Sequence, residues 1–241
     1  MSLAALGAVA FGALFGSIVS GLAGFAFGLV TLGFWLHAIE PTLAAPLVVS
    51  CSLVVQLMNV RALWHAVRWE RVLPFVLAGL LGVPIGSYLL GHIDAALFRR
   101  ILGAFLLIYS GISLFLPPMA PAARAGRLAD GAVGLAGGVM GGLSGLSGAL
   151  PTMWSGLRGW SKDEQRAVYQ PFNICMHVAT MLTYLKDGFL DRDFAVSFLI
   201  ALPALGAGGW LGIRLYRRVD EVQFRRIVLW LLLISGGVLL L

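Results

Sequence analysis

Long apolar runs separated by short polar segments cover most of the chain. Six runs have the length of one membrane-spanning helix, which needs about 20 apolar residues to cross a hydrocarbon core of about 30 Å. The predicted spans are residues 42–60, 72–91, 97–116, 167–185, 193–213 and 224–241. The pattern therefore predicts an all-α protein that crosses a membrane several times.

Two further apolar stretches do not fit a single span. Residues 3–38 are interrupted at Gly21–Gly24, and residues 130–157 are interrupted at Ser144–Gly148, shortly before Pro151. A straight helix over the first stretch would be about 50 Å long, and each of its two pieces, of about 15–17 residues, would be too short to cross. We predict that both stretches are broken-helix hairpins with tips inside the membrane.

The chain also contains an internal duplication. The sequence Asp-(x3)-Phe-Arg-Arg-Ile occurs at 94–101 and at 220–227, the break at 20–24 recurs at 144–148, and Pro46 recurs as Pro171. These landmarks keep their order at offsets of 124–126 residues. Each half therefore contains one hairpin and three spans. The predicted division is residues 1–118 as the first repeat, 119–130 as a linker and 131–241 as the second repeat.

Composition excludes most other classes of protein. Hydrophobic residues make up 59% of the chain, charged residues 12%, and the mean hydropathy is +0.92. A soluble domain needs more polar residues to cover its surface, and a disordered chain has a much lower content of hydrophobic residues. The net charge of +6 does not indicate nucleic-acid binding, because Lys and Arg fall in short loops, where they orient a membrane protein.

The distribution of these basic residues predicts the topology. If both broken stretches return to the side they start from, 13 of the 17 Lys and Arg residues share one side. If each stretch crosses once, the split is 7 to 10. The positive-inside rule favours the first arrangement and places the side with the 13 basic residues in the cytoplasm. The two halves are then inverted repeats in a cell (inner) membrane, with both termini outside the cytoplasm, an arrangement typical of secondary transporters.

The two breaks are the main candidate for a binding site. A helix that begins inside the membrane presents unpaired N–H groups and the positive end of its dipole to an anion. Glycine permits close approach, and serine adds hydroxyl donors. The alternative is that these glycines only pack helices, as we expect for Gly12/Gly16, Gly82/Gly86, Gly137/Gly141 and Gly208/Gly212. The predicted substrate-binding residues of the breaks are Ser20, Gly21, Gly24, Phe25, Ser144, Gly145, Ser147 and Gly148.

Four polar residues inside the spans complete the predicted site. Gln56 and Asn59 lie in the first half, and Asn173 and His177 lie one helical turn apart in the second. Each has the alternative role of an interhelical hydrogen bond. His177 is the one ionisable side chain near a span centre, so it is also a candidate to carry a coupling proton.

No Asp, Glu, Lys or Arg lies in the middle of a predicted span. We therefore expect only N–H groups and hydroxyls to bind an anion at the breaks. The sequence has no catalytic constellation, no metal-ligand cluster and no nucleotide-binding loop. We predict no catalytic residue, no metal and no cofactor.

The glycine-rich segments at 20–24 and 144–151, each followed by Asp-(x3)-Phe-Arg-Arg before the last helix of its half, resemble the TauE/SafE family. This is the family of sulfite exporters and toluene sulfonate uptake permeases, and the similarity to it covers nearly the whole chain. The resemblance implies a transporter for sulfite, an organosulfonate or a related small anion, with the glycine-rich segments lining the pathway. The expected partners are the anion and the lipid bilayer, and a homo-oligomer is compatible with the sequence. An anion channel on the same scaffold and a membrane-embedded enzyme are the alternatives.

The charge distribution makes a direct topological prediction. Reporter fusions at Leu241 and in the loop at 217–220 should give opposite readings, with the loop in the cytoplasm and the C-terminus outside. A cytoplasmic C-terminus would contradict the inverted-repeat arrangement.

Overall fold

The computed structural model describes residues 3–35, 38–63, 67–90, 95–115, 122–186 and 190–240, and all its regular elements there are α-helices. This confirms the predicted all-helical membrane fold. The helices are α1 (Leu3–Ala23), α2 (Phe27–Trp35), α3 (Pro41–Leu63), α4 (Trp69–Leu90), α5 (Ala95–Phe115), α6 (Arg127–Ser144), α7 (Ala149–Leu157), α8 (Lys162–Lys186), α9 (Arg192–Tyr216) and α10 (Glu221–Leu240).

Each predicted span corresponds to one helix, in order α3, α4, α5, α8, α9 and α10. Among the described helices, α1, α3, α4 and α9 are long and apolar enough to cross a membrane. The segments concerned are Ala4–Ala23, Leu43–Val60, Trp69–Gly86 and Arg192–Tyr216. Several apolar helices of this kind support a multi-pass membrane protein. Asp94 and residues 119–121 of the predicted linker lie outside the described residues.

The first broken stretch divides unequally. α1 has 21 residues and α2 has 9, so the expectation that both pieces are too short to cross is wrong for α1. The helix continues through Gly21 to Ala23. A Cβ at Gly21 would lie 2.8 Å from the Cα of Gly212 on α9, so glycine at this position lets the two backbones pack closely. The chain leaves the helix at Gly24, whose φ of +87° is a left-handed conformation that suits glycine.

The second broken stretch has the same form. α6 has 18 residues and α7 has 9. The break begins at Gly145, whose φ is +72° and whose N–H donates to the carbonyl oxygen of Gly141 at 2.8 Å. α6 begins at Arg127, within the segment predicted as the linker. The division into repeats and linker stays a prediction.

The packing of the helices interchanges the two halves. α1 of the first half packs against α9 of the second, and α6 packs in the equivalent way against α4. α3 packs against its counterpart α8, and α5 against its counterpart α10. Each half is therefore completed by the other, and both breaks lie in the interior of one bundle.

The counterparts α5 and α10 run in opposite directions. A Cβ at Gly236, near the end of α10, would lie 2.8 Å from the carbonyl oxygen of Gly103, near the start of α5. Arg225, near the start of α10, donates to the carbonyl oxygen of Ser113, near the end of α5, at 2.7 Å. Antiparallel counterparts support inverted repeats, which stay a prediction.

Glycines produce the close contact between α4 and α6. A Cβ at Gly86 would overlap the carbonyl oxygen of Val139, and one at Gly82 would overlap that of Leu135. Gly208 and Gly212 face α1 in the same way. These glycines therefore have the packing role expected of them, since they let two helix backbones touch.

This contact predicts the effect of one added methyl group. Gly86→Ala should lower the free energy of unfolding by about 1–3 kcal/mol, because the helices must separate. Gly206→Ala is the matched control, since a Cβ at this helical position meets nothing within 4 Å. Thermal unfolding of the purified variants in detergent measures the difference, and equal losses would contradict the packing role.

Candidate functional site

The two helix breaks adjoin one another inside the bundle. A Cβ at Gly148 would lie 3.0 Å from the Cβ of Phe25, and one at Gly28 would lie 3.7 Å from a methyl group of Leu146. The break between α1 and α2 therefore touches the break between α6 and α7. Side chains of α3 and α8 contact both regions, so these two helices and the two breaks enclose one shared site.

The end of α1 is capped by side chains from α3 and α8. The last carbonyls of a helix have no partner within the helix, and in an apolar environment they need donors from elsewhere. Four donors from two other helices meet this need and fix the position of the break. The bonds are Asn59 Nδ2 to Ser20 O (3.1 Å), Arg166 Nη1 to Leu22 O (3.3 Å), Tyr169 Oη to Ala23 O (2.6 Å) and Gln56 Nε2 to Gly24 O (2.9 Å).

The predicted ligands Gln56 and Asn59 thus direct their N–H groups at the backbone of α1. Their oxygens, Oε1 and Oδ1, are buried without a hydrogen-bond partner in the part of the chain that the structure describes, and so is the hydroxyl of Ser20. The amide oxygens can only accept hydrogen bonds. On this side of the site the free groups of the two amides suit a donor rather than an anion.

The second break presents donors instead. The hydroxyl of Ser147 donates to Oδ1 of Asn173 at 3.0 Å, which leaves the Nδ2 group of Asn173 available beside Gly148. Gly148 is the N-cap of α7, and no side chain caps the helix there. The amides of Ala149 and Leu150 therefore have no side-chain acceptor, and they carry the positive end of the helix dipole, whereas Pro151 has no N–H group.

A stripe of buried polar residues on α8 connects the two breaks. Arg166, Gln170, Asn173 and His177 follow one another at helical spacings of four, three and four residues, so they share one face. All four are buried, His177 at 5% exposure. The prediction that Asn173 and His177 lie on one face of a helix is confirmed.

Arg166 is the residue that sequence reasoning missed. Its exposure is 1%, and its guanidinium lies 4.0 Å from the centre of the Tyr216 ring. We assigned it to a loop because it precedes the predicted span at 167–185, whereas α8 begins at Lys162. The expectation that only N–H groups and hydroxyls are available at the breaks is therefore wrong. Its spacing from Gln170, Asn173 and His177 is a sequence signal that places it on the polar face of α8, but the spacing does not show that the side chain is buried.

The other predicted residues of the breaks lie partly at the junction and partly away from it. Gly24 and Phe25 lie at the junction of the breaks, with the Phe25 ring edge-on to Tyr169 at 6.0 Å. Gly145 makes the turn out of α6, and Gly21 packs against α9 away from the junction. The side chain of Ser144 lies outside the described residues.

A bundle of apolar helices with two interrupted helices that meet in its interior is typical of membrane transporters. A family model described as sulfite exporter TauE/SafE matches residues 8–239. The chain therefore belongs to the TauE/SafE sulfite exporter family of membrane transporters. Searches of curated proteins and of solved structures give no significant match.

Proposed function

We propose that this transporter carries sulfite, an organosulfonate or a closely related small anion across the cell membrane, and that the anion binds where the two breaks meet. One observation carries the proposal: the uncapped first turn of α7 begins beside Ser147 and directly against the other break. The family supports sulfite as a substrate. Organosulfonates share its anionic, oxygen-rich head.

The donors at the second break suit such a head group. An oxyanion that leaves water loses hydration, and directed donors must replace it. The first-turn amides of Ala149 and Leu150 and the Nδ2 group of Asn173 supply donors from different directions, and the hydroxyl of Ser147 orients Asn173 by donating to its Oδ1. Gly148 has no side chain to cover them. In this proposal Gly24, Phe25, Gln56 and Asn59 form the opposite wall of the site.

The test uses purified protein in detergent and in proteoliposomes, with sulfite and methanesulfonate as the probes. Ser147→Ala should weaken binding by about 1 kcal/mol, because it removes the hydrogen bond that orients Asn173 toward the anion. Ser155→Ala is the matched control, because its buried hydroxyl bonds to the carbonyl of Thr152 within α7. Wild-type protein that binds neither probe would overturn the proposed substrate class, and equal losses in the two variants would overturn the site.

The same proteoliposomes separate a carrier from a channel. A carrier exchanges one anion for another and saturates as the concentration rises, whereas an open pore does neither. The antiparallel course of α5 and α10 supports a carrier, because inverted repeats permit alternating access around a fixed site. Flux that neither saturates nor shows counter-transport would favour the channel.

We further propose that His177 couples transport to proton movement. It is buried one turn beyond Asn173 on the polar face of α8, and imidazole gains and loses a proton in the physiological range. His177→Gln keeps a polar side chain of similar reach but cannot carry the proton. It should flatten the pH dependence of flux while leaving anion affinity within about twofold, a change under 0.5 kcal/mol. An unchanged pH profile with active transport would leave His177 with a structural role.

A further inference from the structure

Arg166 is a fully buried cation whose hydrogen-bond partners are all uncharged. Its Nη1 donates to the carbonyl oxygen of Leu22 at 3.3 Å. With the Gln170 amide oriented so that its oxygen faces the guanidinium, that oxygen accepts from Nη2 at 2.7 Å and from Nε at 3.2 Å. The ring of Tyr216 covers the guanidinium. Within the described residues, no carboxylate lies within 4.0 Å of it.

The nearby groups compensate the charge only in part. The end of the α1 dipole is equivalent to about half an elementary charge, so its carbonyls cannot neutralise a guanidinium. The carboxylate of Asp163, which is exposed, accepts a hydrogen bond from Tyr216 and lies outside ion-pair distance of Arg166. A buried charge is costly unless it is paired. The fold therefore retains a positive charge beside the first break that lacks a counter-ion.

Neighbouring arginines show the contrast. Arg158, at 14% side-chain exposure, lies 3.8 Å from a carboxylate oxygen of Asp130. Arg71, at 34%, donates to Glu164 at 2.8 Å. Both less buried arginines have an acidic partner, whereas the more deeply buried Arg166 has none. A ligand that brings its own negative charge would complete the environment of Arg166.

The position of Arg166 connects this charge to the substrate. Its Nε lies 3.1 Å from the place where a Cβ of Gly24 would be, so the absent side chain lets the guanidinium reach the break. The next residue, Phe25, is the one that contacts Gly148 of the second break. Arg166 thus lies on the first-break side of the junction, and the donors of α7 lie on the other side.

We propose that Arg166 supplies the fixed positive charge that pairs with the anionic head of the substrate, and that it makes a formal negative charge a requirement for binding. This inference rests on the proposed anion site between the breaks. Of the five N–H donors of the guanidinium, three bond to Leu22 and Gln170, and the two that remain can donate to the oxygens of a sulfonate or sulfite head group. A neutral molecule of the same shape leaves the charge uncompensated and is rejected.

The first measurement compares a charged and a neutral ligand of similar shape. The wild-type protein should bind methanesulfonate at least about tenfold more tightly than methanesulfonamide, a difference of about 1.4 kcal/mol. Arg166→Gln should bind both weakly and with nearly equal affinity. Arg166→Lys keeps the charge without the planar fork, so it should retain the preference for methanesulfonate at reduced affinity.

A second variant keeps the arginine and supplies the missing counter-ion from the protein. Gln170→Glu is isosteric and places a carboxylate where the amide oxygen now contacts Arg166. It should raise the apparent Tm, because the buried charge becomes paired, and it should abolish binding of methanesulfonate. Gln223→Glu is the control, since this exposed side chain already accepts from the N–H of Asp220 through its oxygen. It makes the same change in charge at an exposed position outside the breaks and should bind normally.

The outcomes separate the two proposals. Loss of binding in folded Gln170→Glu, with normal binding in Gln223→Glu, supports the role of Arg166 even if Arg166→Gln does not fold. Methanesulfonate binding that persists at wild-type affinity in Gln170→Glu overturns that role and leaves the anion site in place. Absence of binding of both sulfite and methanesulfonate to the wild-type protein overturns the proposed function itself.

Discussion

A helix interrupted in the interior of an apolar bundle exposes backbone groups that water cannot reach, and the rest of the bundle must satisfy them. At the end of α1 this requirement fixes Gln56, Asn59, Arg166 and Tyr169, which come from two helices and direct their donors at four successive or nearly successive carbonyls. α3 and α8 consequently lie beside the breaks, and their polar faces define the interior of the site. The short helices α2 and α7 can then begin within the bundle rather than at its edge.

The duplicated halves meet this requirement in different ways, and the difference gives the site its polarity. At the first break the side chains donate to carbonyls, and the buried oxygens of Gln56 and Asn59 remain. At the second break the start of α7 keeps its amides uncapped, with the hydroxyl of Ser147 and the amide of Asn173 beside it. The first break therefore combines the acceptor oxygens of the two amides with the buried guanidinium of Arg166, whereas the second break presents donors. In the proposed site this asymmetry would favour one orientation of the ligand, whereas two identical breaks would bind either end equally.

Much of the architecture could be predicted because it depends on length and on local conformation. Span length placed six helices, and it also marked both breaks, because each broken stretch did not fit one span and contained a cluster of Gly and Ser. The positive φ of Gly24 and Gly145 lies at these breaks. The role of Gly21 could not be read in this way, because it depends on the approach of Gly212 from the other half. The burial of Arg166 could not be predicted for a related reason. Near the end of a hydrophobic run a basic residue is usually exposed, and only the tertiary position of the α1 terminus makes this one buried.

In the proposed site, the guanidinium of Arg166 and the backbone amides of α7 make different kinds of interaction with the same anion. The Coulomb attraction of Arg166 acts over several ångströms and depends weakly on orientation, and it is strong where water is excluded. The amides of α7 and the Nδ2 group of Asn173 would act only at hydrogen-bond distance and in fixed directions. Charge alone would admit halides as readily as oxyanions, and directed donors alone would admit neutral sulfones and amides. A site that combines the two requires both a formal negative charge and several oxygens on one atom, which is the common chemistry of sulfite and the sulfonates.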